Sequence, residues 1–82
     1  MERSWVVKRV IEIISDQLEV EQTGITELMV IADLGADSLD FAELTMKIEE
    51  KFDIAIPDEV TATLKTVGQV IDHVFKLVSQ LP

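Results

Sequence analysis

Apolar residues recur along the chain in two helical stripes separated by a stretch without period. Val7, Ile11, Ile14 and Leu18 follow one another at i, i+4, i+7 and i+11, with Val6, Val10 and Ile13 widening the stripe, which predicts an amphipathic helix over residues 5–18. Val67, Val70, Ile71, Val74, Val78 and Leu81 repeat at three and four, predicting a last helix over residues 66–81 with Thr66 as its cap and Lys76 near its C-terminal end. Residues 19–35 lose the period: Thr23-Gly24 signals a turn, and Leu28, Val30 and Ile31 form an apolar patch expected to tuck inward. Gly35 breaks the chain before a second helix over residues 37–52, where Asp37 and Asp40 suit a cap and first turn. Pro57 ends the following segment and is well placed to start a short helix over residues 58–64. No window alternates with a period of two, and Ile54 to Pro57 is too short and proline-bound for a strand. The fold class expected is all-α: a small four-helix bundle of three long helices and one short one, with a long loop between the first two, in one domain spanning residues 1–82.

The second helix has two apolar faces. At about 100° per residue, Phe41, Leu44, Thr45, Ile48 and Phe52 share one arc and are expected in the core, whereas Leu39, Ala42 and Met46 lie opposite. Asp40, Glu43, Glu49 and Glu50 flank that outer strip, a surface suited to a basic partner groove with an apolar floor. Taken alone, such a strip is also what ordinary surface residues produce. Charge shifts the balance. The 82 residues carry 16 acids against 7 basic groups, and between Glu12 and Leu64 lie 14 acids with only Lys47 and Lys51, leaving −12 there and +3 at the two ends together. Holding so much like charge together costs stability, which points to a partner for the acidic middle.

The same composition excludes several classes. A net charge of −9 offers no basic footprint for nucleic acid or anionic membrane. The longest apolar run, residues 28–32, is far below the roughly 18 residues a membrane span needs, no signal peptide is supported, and a cytoplasmic location is the expectation. Cysteine is absent, so any thiol chemistry must come from outside the chain.

Ser38 is the one nucleophile-capable side chain at a special place, the start of a helix just after a glycine and between acids. A serine there most often caps the helix. Serine hydrolysis lacks its partners, because the only histidine, His73, lies on the last helix and no Gly-x-Ser-x-Gly elbow is present. His73 itself is expected to be structural or solvated, and Trp5 to cover the end of the bundle. A calcium loop starting at Asp33 fails, since its sixth position is Ser38 and its twelfth Leu44, so no metal site is expected. The remaining reading for Ser38 is modification, with a phosphate beside free backbone N–H groups at a positive helix end.

The run Asp33-Leu34-Gly35-Ala36-Asp37-Ser38-Leu39-Asp40, with Glu43-Leu44, Ile48-Glu49-Glu50-Lys51-Phe52 and Ile56-Pro57-Asp58-Glu59, strongly resembles the acyl carrier proteins of dissociated (type II) fatty-acid synthesis over nearly the whole chain. The resemblance implies a carrier and not an enzyme. It implies that Ser38 bears 4′-phosphopantetheine, transferred from coenzyme A by a separate, magnesium-using phosphopantetheinyl transferase, and that acyl groups ride as thioesters on the terminal thiol. It assigns Asp37, Leu39, Asp40, Glu43, Met46, Glu49 and Glu50 to the surface recognised by acyl-chain synthesis and transfer enzymes. It places Thr45, Ile48, Ile56, Thr61 and Leu64 around the space into which the acyl chain folds. Val30 stands where the family usually has phenylalanine, Phe41 where it has a small residue, and Ala32 where an acid is common. The aromatic ring is thus expected to fill core volume from the helix instead of the loop, reshaping the acyl pocket. The expected state is a monomer. Two alternatives stay open: a carrier of the same fold for a modified lipid, polyketide, aminoacyl or D-alanyl group, and an unmodified helical adaptor using only the acidic face.

Overall fold

In the computed structural model, which describes residues 2–80, the helices are α1 (Arg3–Leu18), α2 (Ser38–Phe52), α3 (Asp58–Thr61) and α4 (Val67–Ser79). Single 3-10 turns at Gln22–Gly24 and Ile31–Leu34 punctuate the long loop between α1 and α2. Among the described residues there is no β-strand, only an isolated antiparallel bridge between Val30 and Thr66. The all-α architecture expected from the periodicity is therefore the one observed. α3 is shorter than the spacing predicts, a single turn ending at Thr61, and the expected end of α4 at Leu81 lies outside the described residues.

α1 packs against both α2 and α4, so its apolar stripe is the seam of the bundle. The fully buried row is Val6, Val10 and Ile14, while Val7, Ile11, Ile13 and Leu18 flank it half-buried. In the first half of α1 the buried row is therefore displaced by one residue, from Val7 and Ile11 to Val6 and Val10, while Ile14 belongs to both rows. Leu44, Thr45, Ile48 and Phe52 of α2 and Val67, Val70, Ile71, Val74 and Val78 of α4 complete the core. Phe41 is a correction: its ring is half-buried at the margin of this core, not inside it. Trp5 sets its ring edge-on to Phe52, centroids 5.5 Å apart at 88°, and covers the end of the bundle where α1 begins and α2 ends.

The long loop departs most from the sequence reading. Leu28 is 90% exposed and Val30 37%, whereas Ile31 is buried and Met29 packs on the core. The physical reason is backbone pairing. Val30 is extended (φ −81°, ψ 127°), so its neighbours Met29 and Ile31 share the opposite side from its own side chain. That register is held by Ile31 N–H donating to the Lys65 carbonyl (2.9 Å), Val67 N–H to Met29 (2.9 Å) and Gly68 N–H to Glu27 (2.8 Å). The last approach is close: a Cβ on Gly68 would sit 3.0 Å from the Glu27 carbonyl oxygen, so any larger residue there requires the loop to give way slightly.

Side chains fasten the same junction. Arg3, at the start of α1, donates to Glu27 of the loop (2.6 Å) and to Asp72 of α4 (2.7 Å). The Arg3 hydrogen bond holds the Glu27 carboxyl below the ordinary glutamate value of 4.5, outweighing the opposing effects of desolvation and of Asp72. Because the folded value is depressed, this contribution is fully present above the unfolded value and is lost as pH falls through the folded one. Glu27→Gln is expected to flatten the acid limb of the melting temperature as pH falls through 4.5 and below, with a smaller difference at high salt. Superimposable pH profiles would show that the contact adds nothing to stability.

Candidate functional site

The site is built around the first turn of α2. Gly35, in the left-handed region at φ 95°, turns the chain out of the 3-10 turn and toward the helix. Asp37 is the N-cap. Its carboxylate accepts from the Asp40 N–H (2.8 Å), and the Asp40 carboxylate accepts in return from the Asp37 N–H (3.3 Å), a reciprocal capping box. Ser38 is consequently the first helical residue and not the cap. It is exposed, and its hydroxyl enters none of the side-chain hydrogen bonds formed among the described residues. The role a serine most often plays at this place is already filled by its neighbour.

Beside Ser38 opens a cavity of about 250 Å³ between the loop, the start of α2 and the segment after α3. Of the residues expected around an acyl chain, Phe41, Thr61 and Leu64 line it. Thr45, Ile48 and Ile56 do not; they are 7%, 0% and 5% exposed within the core. Val30, Ala32, Ala36 and Ala62 line it as well, and sequence reasoning missed them. No local signal marks them, since Ala62 lies far along the chain from the Ser38 turn and joins the others only in the fold. An accessible hydroxyl at the rim of an apolar space fits an ester-linked arm that carries an apolar load. His73 does not face this cavity but a shallow groove shared with Gln69, Asp72 and Lys76, leaving Ser38 without a base there.

The outer strip of α2 is where the helical projection puts it, with Leu39 65% and Met46 57% exposed and Ala42 open beside them. Its carboxylates divide into two kinds. Asp37 and Asp40 cap the helix, and half-buried Glu49 accepts the backbone N–H of buried Ile56 (3.0 Å), tying the α2–α3 linker to the helix. Glu43 is exposed and accepts only from the Gln17 amide of α1 (2.8 Å), while Glu50 is exposed with no hydrogen bond among the described residues.

Residues 8–74 match the phosphopantetheine attachment site family. Acyl carrier proteins from two strains of Porphyromonas gingivalis are 46% identical over 74 residues, 89% of this chain and 95% of theirs. That of Syntrophobacter fumaroxidans is 46% identical over 69 residues, 83% of this chain and 85% of its own. The solved acyl carrier protein of Enterococcus faecalis superposes with a TM-score of 0.78 at 32% identity, covering 93% of this chain and 98% of that one.

Two neighbouring glutamates should respond differently to truncation. Glu49→Ala leaves the Ile56 N–H buried without an acceptor and is expected to cost about 1–3 kcal/mol, whereas Glu50→Ala stays within about 0.5 kcal/mol of wild type. Equal midpoints for the two variants in urea denaturation would remove the structural role given to Glu49.

Proposed function

Since this chain belongs to the phosphopantetheine attachment site family, whose acyl carrier proteins are carriers and not enzymes, we propose that the Ser38 oxygen is its point of attachment for the family's 4′-phosphopantetheine. The observation that carries this reading is the division of labour at the helix start: Asp37 caps, and the Ser38 hydroxyl is left accessible at the rim of an apolar cavity. The arm, once bound, supplies the thiol that this cysteine-free chain lacks and on which acyl groups are held as thioesters. The chain's own residues orient the attachment and shelter the load. The Asp37–Asp40 pair fixes the first turn, so the Ser38 oxygen is presented at a defined angle. Phe41, Thr61 and Leu64 offer apolar walls, with Thr45, Ile48 and Ile56 forming the core behind them.

The outer strip of Leu39 and Met46, with Asp37, Asp40, Glu43, Glu49 and Glu50 around it, is the surface for the phosphopantetheinyl transferase and for acyl-chain synthesis and transfer enzymes with basic docking sites. Among these acids Glu43 and Glu50 carry the electrostatic contact, since the others are committed to backbone N–H groups. The pathway this supports is dissociated (type II) fatty-acid synthesis in the cytoplasm, by a monomer. Among the described residues no helix is long and apolar enough to cross a membrane.

Incubation with coenzyme A, magnesium and a broad-specificity phosphopantetheinyl transferase should add the mass of one arm to the wild type and nothing to Ser38→Ala. An unmodified wild type, or an arm on Ser38→Ala, would refute the attachment. Glu50→Lys is expected to lower kcat/KM with a partner enzyme by roughly 3- to 10-fold at low salt, with the difference shrinking at high salt. A loss that salt does not change would rule out an electrostatic contact at that position.

A further inference from the structure

We propose that the Lys65 ammonium pairs with the phosphodiester that joins the arm to Ser38, so that the chain holds the arm by an ionic contact as well as by its ester bond. The claim rests on the attachment at Ser38 proposed above. A phosphodiester carries one negative charge, and esterification at Ser38 sets that charge on the same helical turn as Asp37 and Asp40. The Asp37 carboxylate already accepts the Asp40 N–H (2.8 Å) and the Asp40 carboxylate the Asp37 N–H (3.3 Å), so neither donor is free for the phosphate. Neither carboxylate is paired with a cation among the described residues. Attachment therefore places a third negative charge on one turn of a chain whose net charge is already −9.

One cation faces that charge. Of the 7 basic residues in the chain, Lys65 alone lines the opening that Ser38 borders, and Asp37 and Lys65 are the two charged residues in its wall. Lys47, the nearest basic residue in sequence, lies about 13 Å along α2 from Ser38. Lys65 is exposed, and its ammonium makes no ion pair among the described residues. Its backbone, in contrast, is fixed on both sides. The Lys65 N–H donates to Gln69 Oε1 in the cap of α4 (2.7 Å), and its carbonyl accepts from the N–H of Ile31, a loop residue of the same wall (2.9 Å). A lysine so anchored can lay its methylene stem along apolar surface and carry its charge to the rim. The contact is open to water, so it is modest and is screened by salt.

The test compares the full chain before and after loading from coenzyme A in wild type, Lys65→Gln, Lys65→Arg and Lys76→Gln, with loading verified by intact mass. Lys76 lines the separate groove beside His73, and its variant controls for the loss of one positive charge. Loading is expected to shift the wild-type melting midpoint upward relative to the shift in Lys65→Gln, by roughly 1–5 °C at low salt, with Lys65→Arg and Lys76→Gln following the wild type. The ³¹P resonance of the arm should be displaced in Lys65→Gln at low salt and converge on the wild-type position at high salt. Loading shifts and ³¹P positions that coincide in wild type and Lys65→Gln overturn the contact. Equal changes in Lys76→Gln overturn it as well, by assigning them to net charge. A wild-type chain that gains no arm overturns the attachment itself, and that outcome is read from the mass before any melt is recorded.

Discussion

The exchange of hydrogen bonds between Asp37 and Asp40 is the constraint on which the functional end of the molecule depends. A helix start leaves backbone N–H groups without partners, and the side chain that satisfies one of them is committed to that task. Were Ser38 that side chain, its oxygen would be turned back onto its own helix. With the aspartate one residue earlier, the hydroxyl sits on the first helical residue, outward, where another molecule can reach it. The left-handed Gly35 and the 3-10 turn before it deliver the chain to this geometry, and the loop–α4 backbone bonds hold that turn in place.

A second theme is the use of acids. A charge of −9 on 82 residues invites the reading that the carboxylates form one undifferentiated surface field. The contacts divide them. Glu27 joins the loop to α1 and α4 through Arg3, Asp37 and Asp40 close the start of α2, and Glu49 satisfies a buried amide in the next linker. Side chains so engaged cannot swing toward a partner without leaving an N–H or a guanidinium unmet. On the proposed recognition face this leaves Glu43 and Glu50, on either side of Met46 in the sequence, as the acids without such a commitment.

Much of this was legible in the sequence, and the limits have physical causes. α4 declared itself through Val67, Val70, Ile71, Val74 and Val78, because a helix buried on one broad face has a period that no other element mimics. The outward strip of Leu39, Ala42 and Met46 followed from projection alone, and the short acids after Gly35 suited a cap at Asp37, although Ser38 competed for that role until the hydrogen bonds separated them. The loop did not, because the pairing that turns Leu28 outward and Ile31 inward is made by backbone groups with residues 65–68, and a local pattern carries no record of it. Phe41 lies on the correct face but at its edge, and the projection, which has no depth, could not separate it from Thr45 and Ile48 in the packed interior. The membership of the pocket was hidden for a related reason: Ala32 and Ala36 precede α2 whereas Ala62 follows α3, and they are brought together only by the fold.

The central claim, that the cap is the aspartate and the serine is thereby free, is tested most directly by comparing unfolding free energies of Asp37→Ala and Ser38→Ala in the unmodified chain. The account predicts a loss of about 0.5–2 kcal/mol for Asp37→Ala and a change within about 0.5 kcal/mol for Ser38→Ala. A loss of cap-like size in Ser38→Ala with Asp37→Ala unaffected would contradict it, by assigning the hydroxyl to the helix it begins.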